Sequence, residues 1–200
     1  MTFPSFFAKV PTIVMRDRLA EFLGAADGGL IEYSYTDAVK LAGHSCPTVA
    51  GSYLLSSRVL RALYADETPL RGELSVDFRD AQESAVTGVI AAVVGLLTGA
   101  AGNGGFKGLA GRFSRRDLLH FGADVPGELR FTRQDNGNSV CASLQLGRVP
   151  PDPRVAPLLQ DLLAGKGDAE QATLFAELWQ DRVRRILVEH FTDPQLVKLT

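Results

Sequence analysis

The sequence predicts an α+β fold: an antiparallel sheet packed with helices and followed by a helical C-terminal tail. Three observations carry that expectation. Residues 74–78, 129–131 and 140–144 alternate apolar and polar side chains, the period of a strand that buries one face. Residues 49–63 and 174–190 instead place apolar side chains at helical spacing. Between two of the alternating segments stands Asp135-Asn136-Gly137-Asn138, a composition that joins antiparallel neighbours in a hairpin.

Taken in order, Leu19, Phe22 and Leu23 follow Asp17 at helical spacing and stop at Gly24, which predicts a short helix over 17–23. Gly29 to Tyr35 alternates as a strand. Thr36 is then expected to cap a helix that runs through Leu41 and ends at Gly43. Pro47 suits the first turn of the next helix, with Val49, Tyr53, Leu54, Leu60 and Leu63 as its stripe, so Cys46 falls at or beside the N-cap. Leu74, Val76 and Phe78 mark a strand with one buried face, and Val86 to Leu97 reads as a buried helix. In the hairpin, Asn136-Gly137 is expected to supply the positive φ angles, and Cys141 shares a face with Ser139, Ser143 and Gln145. The seam Val149-Pro150-Pro151-Asp152-Pro153 separates an α+β domain over 1–150 from a helical extension of the same domain over 151–200. In that extension Asp168 and Gln171 form a capping box, and Leu174, Phe175, Leu178, Val183, Ile186, Leu187 and His190 follow one helical stripe.

With 200 residues, 46% of them hydrophobic, the chain can bury a core within one domain. A formal net charge of -2 offers no overall positive field, so nucleic acid is not an expected partner. The segment Met1 to Phe7 has no basic leader with a continuous apolar stretch, which makes a cytoplasmic location the expectation. The longest apolar run, Val86 to Leu97, is well short of the roughly 20 residues that cross a bilayer, so no membrane partner is expected. Two cysteines, Cys46 and Cys141, cannot make a disulfide framework and are expected to be free thiols.

Chemistry is best concentrated in Gly43-His44-Ser45-Cys46-Pro47. A thiol at a helix N-terminus meets unpaired backbone N–H groups and the positive end of the helix dipole, both of which favour the thiolate. His44 lies two residues away, near enough to share a metal ion with Cys46 or to act as its proton partner. Both are therefore candidate metal ligands and candidate catalytic groups. Zinc takes three or four protein ligands, and Cys141, His120, Asp77 and Glu83 are the available further donors.

The stretch Asp37-Ala38-Val39-Lys40-Leu41-Ala42-Gly43-His44-Ser45-Cys46-Pro47-Thr48-Val49-Ala50-Gly51-Ser52-Tyr53 resembles the FmdE-like family of formylmethanofuran dehydrogenase proteins, whose hallmark is a His-Gly-His-x-Cys-Pro-Gly turn entering a helix. The order of elements that follows is similar too: a strand, an apolar helix ending in Thr98-Gly99, a loop through Gly102-Asn103-Gly104 and a hairpin, so the resemblance spans about residues 30 to 147. It implies an α+β fold with an antiparallel sheet, a homodimer, and zinc or another divalent transition metal held partly by His44 and Cys46. The first histidine of the hallmark falls on Ala42 and its last glycine on Thr48, and the Cys-x-x-Cys pairs of some relatives are missing. Formylmethanofuran chemistry is not assigned.

The loop Thr98 to Gly108 is rich enough in glycine for backbone amides to converge on an anion, yet it matches neither the Walker nor the dinucleotide fingerprint. Lys107, Arg112, Arg115 and Arg116 add positive charge just downstream; if the loop folds back over Cys46, these groups would hold a carboxylate or phosphate of a small-molecule ligand there, with Lys107, Arg112 and Asn103 singled out. His120, His190 and Trp179 read as structural, Trp179 through core or dimer packing. Three functions thus stay open: a metal-binding protein, an enzyme using Cys46 as a metal-free nucleophile, and a non-catalytic homodimer that binds a metabolite.

Overall fold

A computed structural model describes residues 2–200. In chain order the elements are β1 (Ile13–Asp17), α1 (Arg18–Phe22), β2 (Leu30–Tyr33), α2 (Tyr35–Ala42), α3 (Pro47–Tyr64), β3 (Leu70–Arg71), β4 (Leu74–Phe78), α4 (Thr87–Thr98), β5 (Leu119–His120), β6 (Leu129–Arg133), β7 (Ser139–Leu144), α5 (Val155–Leu163), α6 (Ala169–Arg184) and β8 (Val197–Leu199). The strands form two sheets, β2-β1-β3 and β5-β4-β6-β7-β8. The fold is α+β, and most pairings are antiparallel as expected. Two short pairings, β1 with β3 and β4 with β5, are parallel.

Helix α3 is the axis of the core. Fourteen of its 18 residues are buried, so it is enclosed well beyond the single stripe of a surface helix. Its buried serines fit because each hydroxyl is returned to the backbone one turn earlier: Ser52 Oγ donates to Thr48 O and Ser56 Oγ to Ser52 O. Alternation in β4 and β6 sends Leu74, Val76, Phe78, Leu129 and Phe131 inward, where they join one continuous core with α3 and α4.

Several local expectations need correction. Helix α2 starts two residues early, capped by Ser34 and not Thr36, because the Asp37 carboxylate accepts from both the Ser34 N–H (2.9 Å) and its hydroxyl (2.8 Å). Tyr35 consequently belongs to α2 rather than to β2. In the hairpin only Gly137 takes a positive φ; Asn136 instead folds its side chain onto the Asn138 N–H at 2.9 Å. The tail is not wholly helical, since β8 returns to pair with β7 at the edge of the larger sheet. The Asp168/Gln171 capping box opens α6 as expected, and a π-helical turn, Arg185–Glu189, carries the chain on past it. Among the described residues no helix is long and apolar enough to cross a membrane.

Candidate functional site

The turn between α2 and α3 is built as its residue types dictate. Gly43 closes α2 in the left-handed conformation (φ 74°), and Cys46 is the N-cap of α3 with Pro47 in the first turn. The Cys46 sulfur accepts from the Val49 N–H at 3.5 Å and is buried at the margin of the core. His44 is exposed, and its Nδ1 lies 2.9 Å from the Ala42 carbonyl. A carbonyl only accepts, so Nδ1 carries the proton in that bond and Nε2 is the nitrogen left for another partner. Ser45, between them, is held from three directions. Trp179 Nε1 and Gln180 Nε2 donate to its carbonyl at 3.0 and 3.2 Å, its hydroxyl donates to Gln180 Oε1 at 3.0 Å, and the Tyr35 hydroxyl sits 2.9 Å from the same oxygen. Burial raises the pKa of Tyr35, so the phenol stays protonated and donates to Ser45. Trp179 on α6 therefore works as a strap across the turn, a role that its helical spacing alone did not reveal.

Fit to a metal is incomplete within one chain. Among the described residues no group of three or more His, Cys, Asp and Glu side chains comes together. Of the expected further donors, Asp77 and His120 are engaged with each other. Asp77 bonds His120 Nδ1 (2.9 Å) and both Arg130 Nε and Nη2 (3.0 and 2.8 Å) on the outer face of the larger sheet. Register extends that row to Cys141, opposite Arg130. Both thiols are free. Glu83 is exposed in the loop before α4. The cavity that opens at the first turn of α3, about 170 Å³, is lined by Thr48, Asp80, Thr87, Ile90 and Glu128 among others, and by neither His44 nor Cys46.

The glycine-rich loop goes elsewhere. It packs at the C-terminal end of α4, while α4's N-terminal residues Thr87 and Ile90 share a cavity with Thr48. Loop and turn thus lie toward opposite ends of α4. The loop does not cover Cys46. Its anchor is Arg115, which donates to Asp17 Oδ1 at 2.7 Å, while Arg71 donates to Asp17 Oδ2 at 2.9 Å. Asp17 is also the N-cap of α1, accepting from Leu19 and Ala20 N–H groups at 2.9 and 3.2 Å. Gly72 (φ 82°) makes the arrangement possible: a β-carbon there would occupy the place of the Arg115 guanidinium. Burial, joined by the neighbouring Arg71 charge, pulls the pKa of Arg115 down against the opposing pull of Asp17.

Around this anchor lies a cavity of about 270 Å³ lined by Arg18, Arg71, Arg112 and Arg115 with Gly72, Glu73, Phe113 and Ser114. Arg18 pairs with Glu73 at 2.8 Å. Four guanidiniums thus face two carboxylates, Glu73 and the underlying Asp17. Among the described residues Arg112 has no carboxylate partner, and Arg115 spends a single hydrogen bond, to Asp17. The loop that delivers them is strained, with Ala110, Phe113 and Asp117 at positive φ (48°, 62° and 53°); such residues cost on the order of 1–3 kcal/mol each and collect where a geometry is needed for function. Of the three loop residues predicted to bind an anion, Arg112 lines the cavity, whereas Lys107 and Asn103 are exposed outside its lining. Sequence reasoning counted Arg115 among the loop's positive charges but missed Asp17, Arg71 and Arg18 as its companions in one site, and it placed Asp17 inside the first helix rather than at its cap.

Compared with known proteins, the chain matches no family model and no curated sequence. Fold and site together define an α+β chain with an arginine-lined cavity at one end of α4 and a strapped His-Ser-Cys turn at the other.

Proposed function

We propose that the protein binds a small anionic metabolite in the arginine cavity. The observation that carries this is the surplus of guanidinium over carboxylate there, two positive charges by formal count, at a point where Arg71 and Arg115 are drawn together around one Asp17. Arginine forks match carboxylate and phosphate oxygens, and an anion would relieve the mutual repulsion of the two partly buried cations. Lys107 and Asn103 would at most attract the ligand from outside. Titration calorimetry with inorganic phosphate tests the reading. Arg112→Ala should weaken binding roughly ten- to a hundredfold, the worth of a charge-assisted hydrogen bond, and should change stability by no more than about 0.5 kcal/mol because the side chain is exposed. Absence of any binding at millimolar phosphate would remove the proposal.

A second reading is favoured by the free thiol at the cap of α3 and the exposed imidazole two residues before it. Zinc or another divalent transition metal would be held by His44 Nε2 and Cys46, with water or a second copy of the chain supplying the remaining ligands. Where a second copy supplies those ligands, the homodimer follows from the metal. Metal content of protein purified without an affinity tag, wild type beside Cys46→Ser, decides it: one equivalent lost only in the variant supports the site, and negligible metal in both removes it.

A further inference from the structure

Next to the arginine cavity is a second one of about 300 Å³, lined by Arg16, Arg18, Glu21, Phe22, Arg112 and Phe113. The two share Arg18, Arg112 and Phe113 and so adjoin along a common wall. Their chemistry differs. In the outer cavity Arg16 is neutralised by Glu21, with nitrogen-to-oxygen distances of 2.9–3.1 Å, so the additional residues there bring aromatic surface without surplus charge. Phe22 is 62% exposed, an unusual state for a phenylalanine, and its ring centroid lies 5.5 Å from that of Phe113. The Arg112 guanidinium sits 4.9 Å from the Phe113 centroid, joining the aromatic end to the cationic end. Phe113 reaches this position only through its left-handed backbone (φ 62°), strained for a bulky side chain.

Resting on the anion-binding reading, we infer that the ligand is a phosphate monoester of a planar ring compound. Its phosphate lies among Arg18, Arg71, Arg112 and Arg115, and its ring against Phe22 and Phe113. A phosphate monoester suits the inner end better than a carboxylate does. It carries a charge of about -1.5 to -2 at neutral pH and presents three acceptor oxygens, which matches two surplus positive charges and guanidiniums arriving from four positions, whereas one carboxylate is satisfied by a single fork. The exposed Phe22 beside the half-buried Phe113 offers a π-face that any planar ring can use.

Calorimetric titration of the full chain with inorganic phosphate, phenyl phosphate and benzoate separates the claims, using wild type, Phe22→Ala and Arg112→Ala. Phenyl phosphate should bind wild type roughly five- to a hundredfold more tightly than inorganic phosphate, the usual worth of one stacking contact, and Phe22→Ala should erase that ratio while leaving inorganic phosphate unchanged. Phe22 is exposed, so its truncation leaves the fold intact, which an unchanged thermal midpoint verifies. Equal affinity for phenyl phosphate and inorganic phosphate, or a ratio unmoved by Phe22→Ala, overturns the aromatic subsite and leaves anion binding standing. Benzoate bound as tightly as phenyl phosphate overturns the phosphate assignment alone. Binding of none of the three overturns the anion reading itself, and this inference with it.

Discussion

The turn at 43–47 and the loop at 99–118 lie at opposite ends of α4, and they treat their polar groups in opposite ways. In the turn the chain answers its own needs: the Ser45 carbonyl and hydroxyl, the Cys46 sulfur and the Tyr35 phenol all find partners inside the fold. The loop instead adds Arg112 and Arg115 to Arg18 of α1 and Arg71 of β3, more guanidinium than the adjoining carboxylates neutralise, and carries three left-handed non-glycine residues. A polar group already satisfied by the protein gains little from a ligand, because binding only exchanges one hydrogen bond for another. A cation left over gains much. On that count the loop has more to gain from a ligand than the turn has.

Asp17→Ala should have the largest effect. It removes the cap of α1 and leaves Arg71 and Arg115 without their shared carboxylate, and breaking a buried pair of this kind costs about 3–5 kcal/mol, read from urea denaturation. Added phosphate should stabilise the variant more than the wild type, since the anion then replaces the lost charge; equal stabilisation would separate the anion from this pair. Acid provides a second reading of the same contact. Burial alone would raise the Asp17 pKa, but hydrogen bonds from Arg71 and the Ala20 N–H, with the Arg115 charge, hold it below the ordinary carboxylate range. The folded value is therefore the lower one, so this stabilisation is complete above the unfolded pKa of about 4 and is lost as pH falls through the folded value. Wild type should show that loss and Asp17→Ala should not.

What was legible in the sequence follows the same division. The turn is local, and its features could be placed from neighbouring residues: Gly43 as the stop of α2, Cys46 as the cap and Pro47 as the first turn of α3. So could the inward face of β4, the hairpin and the Asp168/Gln171 box. The misplaced cap of α2 was a contest between Ser34 and Thr36, which Asp37 decides by standing three residues after the serine. Strand β8 is a three-residue segment whose only reason to extend is the free edge of β7, which periodicity does not record. The cavity was hidden for a stronger reason. Asp17 meets Arg71 across 54 positions and Arg115 across 98, and no spacing rule links such residues. Composition marked the loop as basic, yet it ranked Lys107 beside Arg112 because only the fold tells the exposed cation from the one that lines the cavity.

Gly72→Ala attacks the loop end of the comparison without touching a charge. The new methyl group falls where the Arg115 guanidinium rests, and the backbone there is left-handed, so we expect a loss of about 1–3 kcal/mol and anion affinity weakened together. Calorimetry on the folded variant separates the two effects: unchanged phosphate affinity would mean that Arg115 can relocate and is not part of the ligand's cradle.

The turn end should respond less. Trp179→Phe removes the indole donor to the Ser45 carbonyl but leaves Gln180 Nε2 on the same oxygen, so the expected loss is about 1 kcal/mol or less. A much larger loss would show that the strap, rather than the core of α3, decides the shape of the turn.

Cys46→Ser should likewise change little and is the most direct test of a turn that is satisfied from within. The sulfur's one hydrogen bond is to the Val49 N–H, at 3.5 Å, and serine is a preferred residue at that cap position. Its hydroxyl can accept the same N–H, which offsets the cost of placing a more polar atom beside the core, so stability should stay within about 1 kcal/mol of wild type. Thermal and urea denaturation in the presence of a chelator set that baseline, and repeating both with added zinc extends it. A wild-type protein that zinc stabilises while the serine variant stays indifferent would mean that the sulfur has a second partner. The turn would then join the loop as a region with bonding capacity to spare.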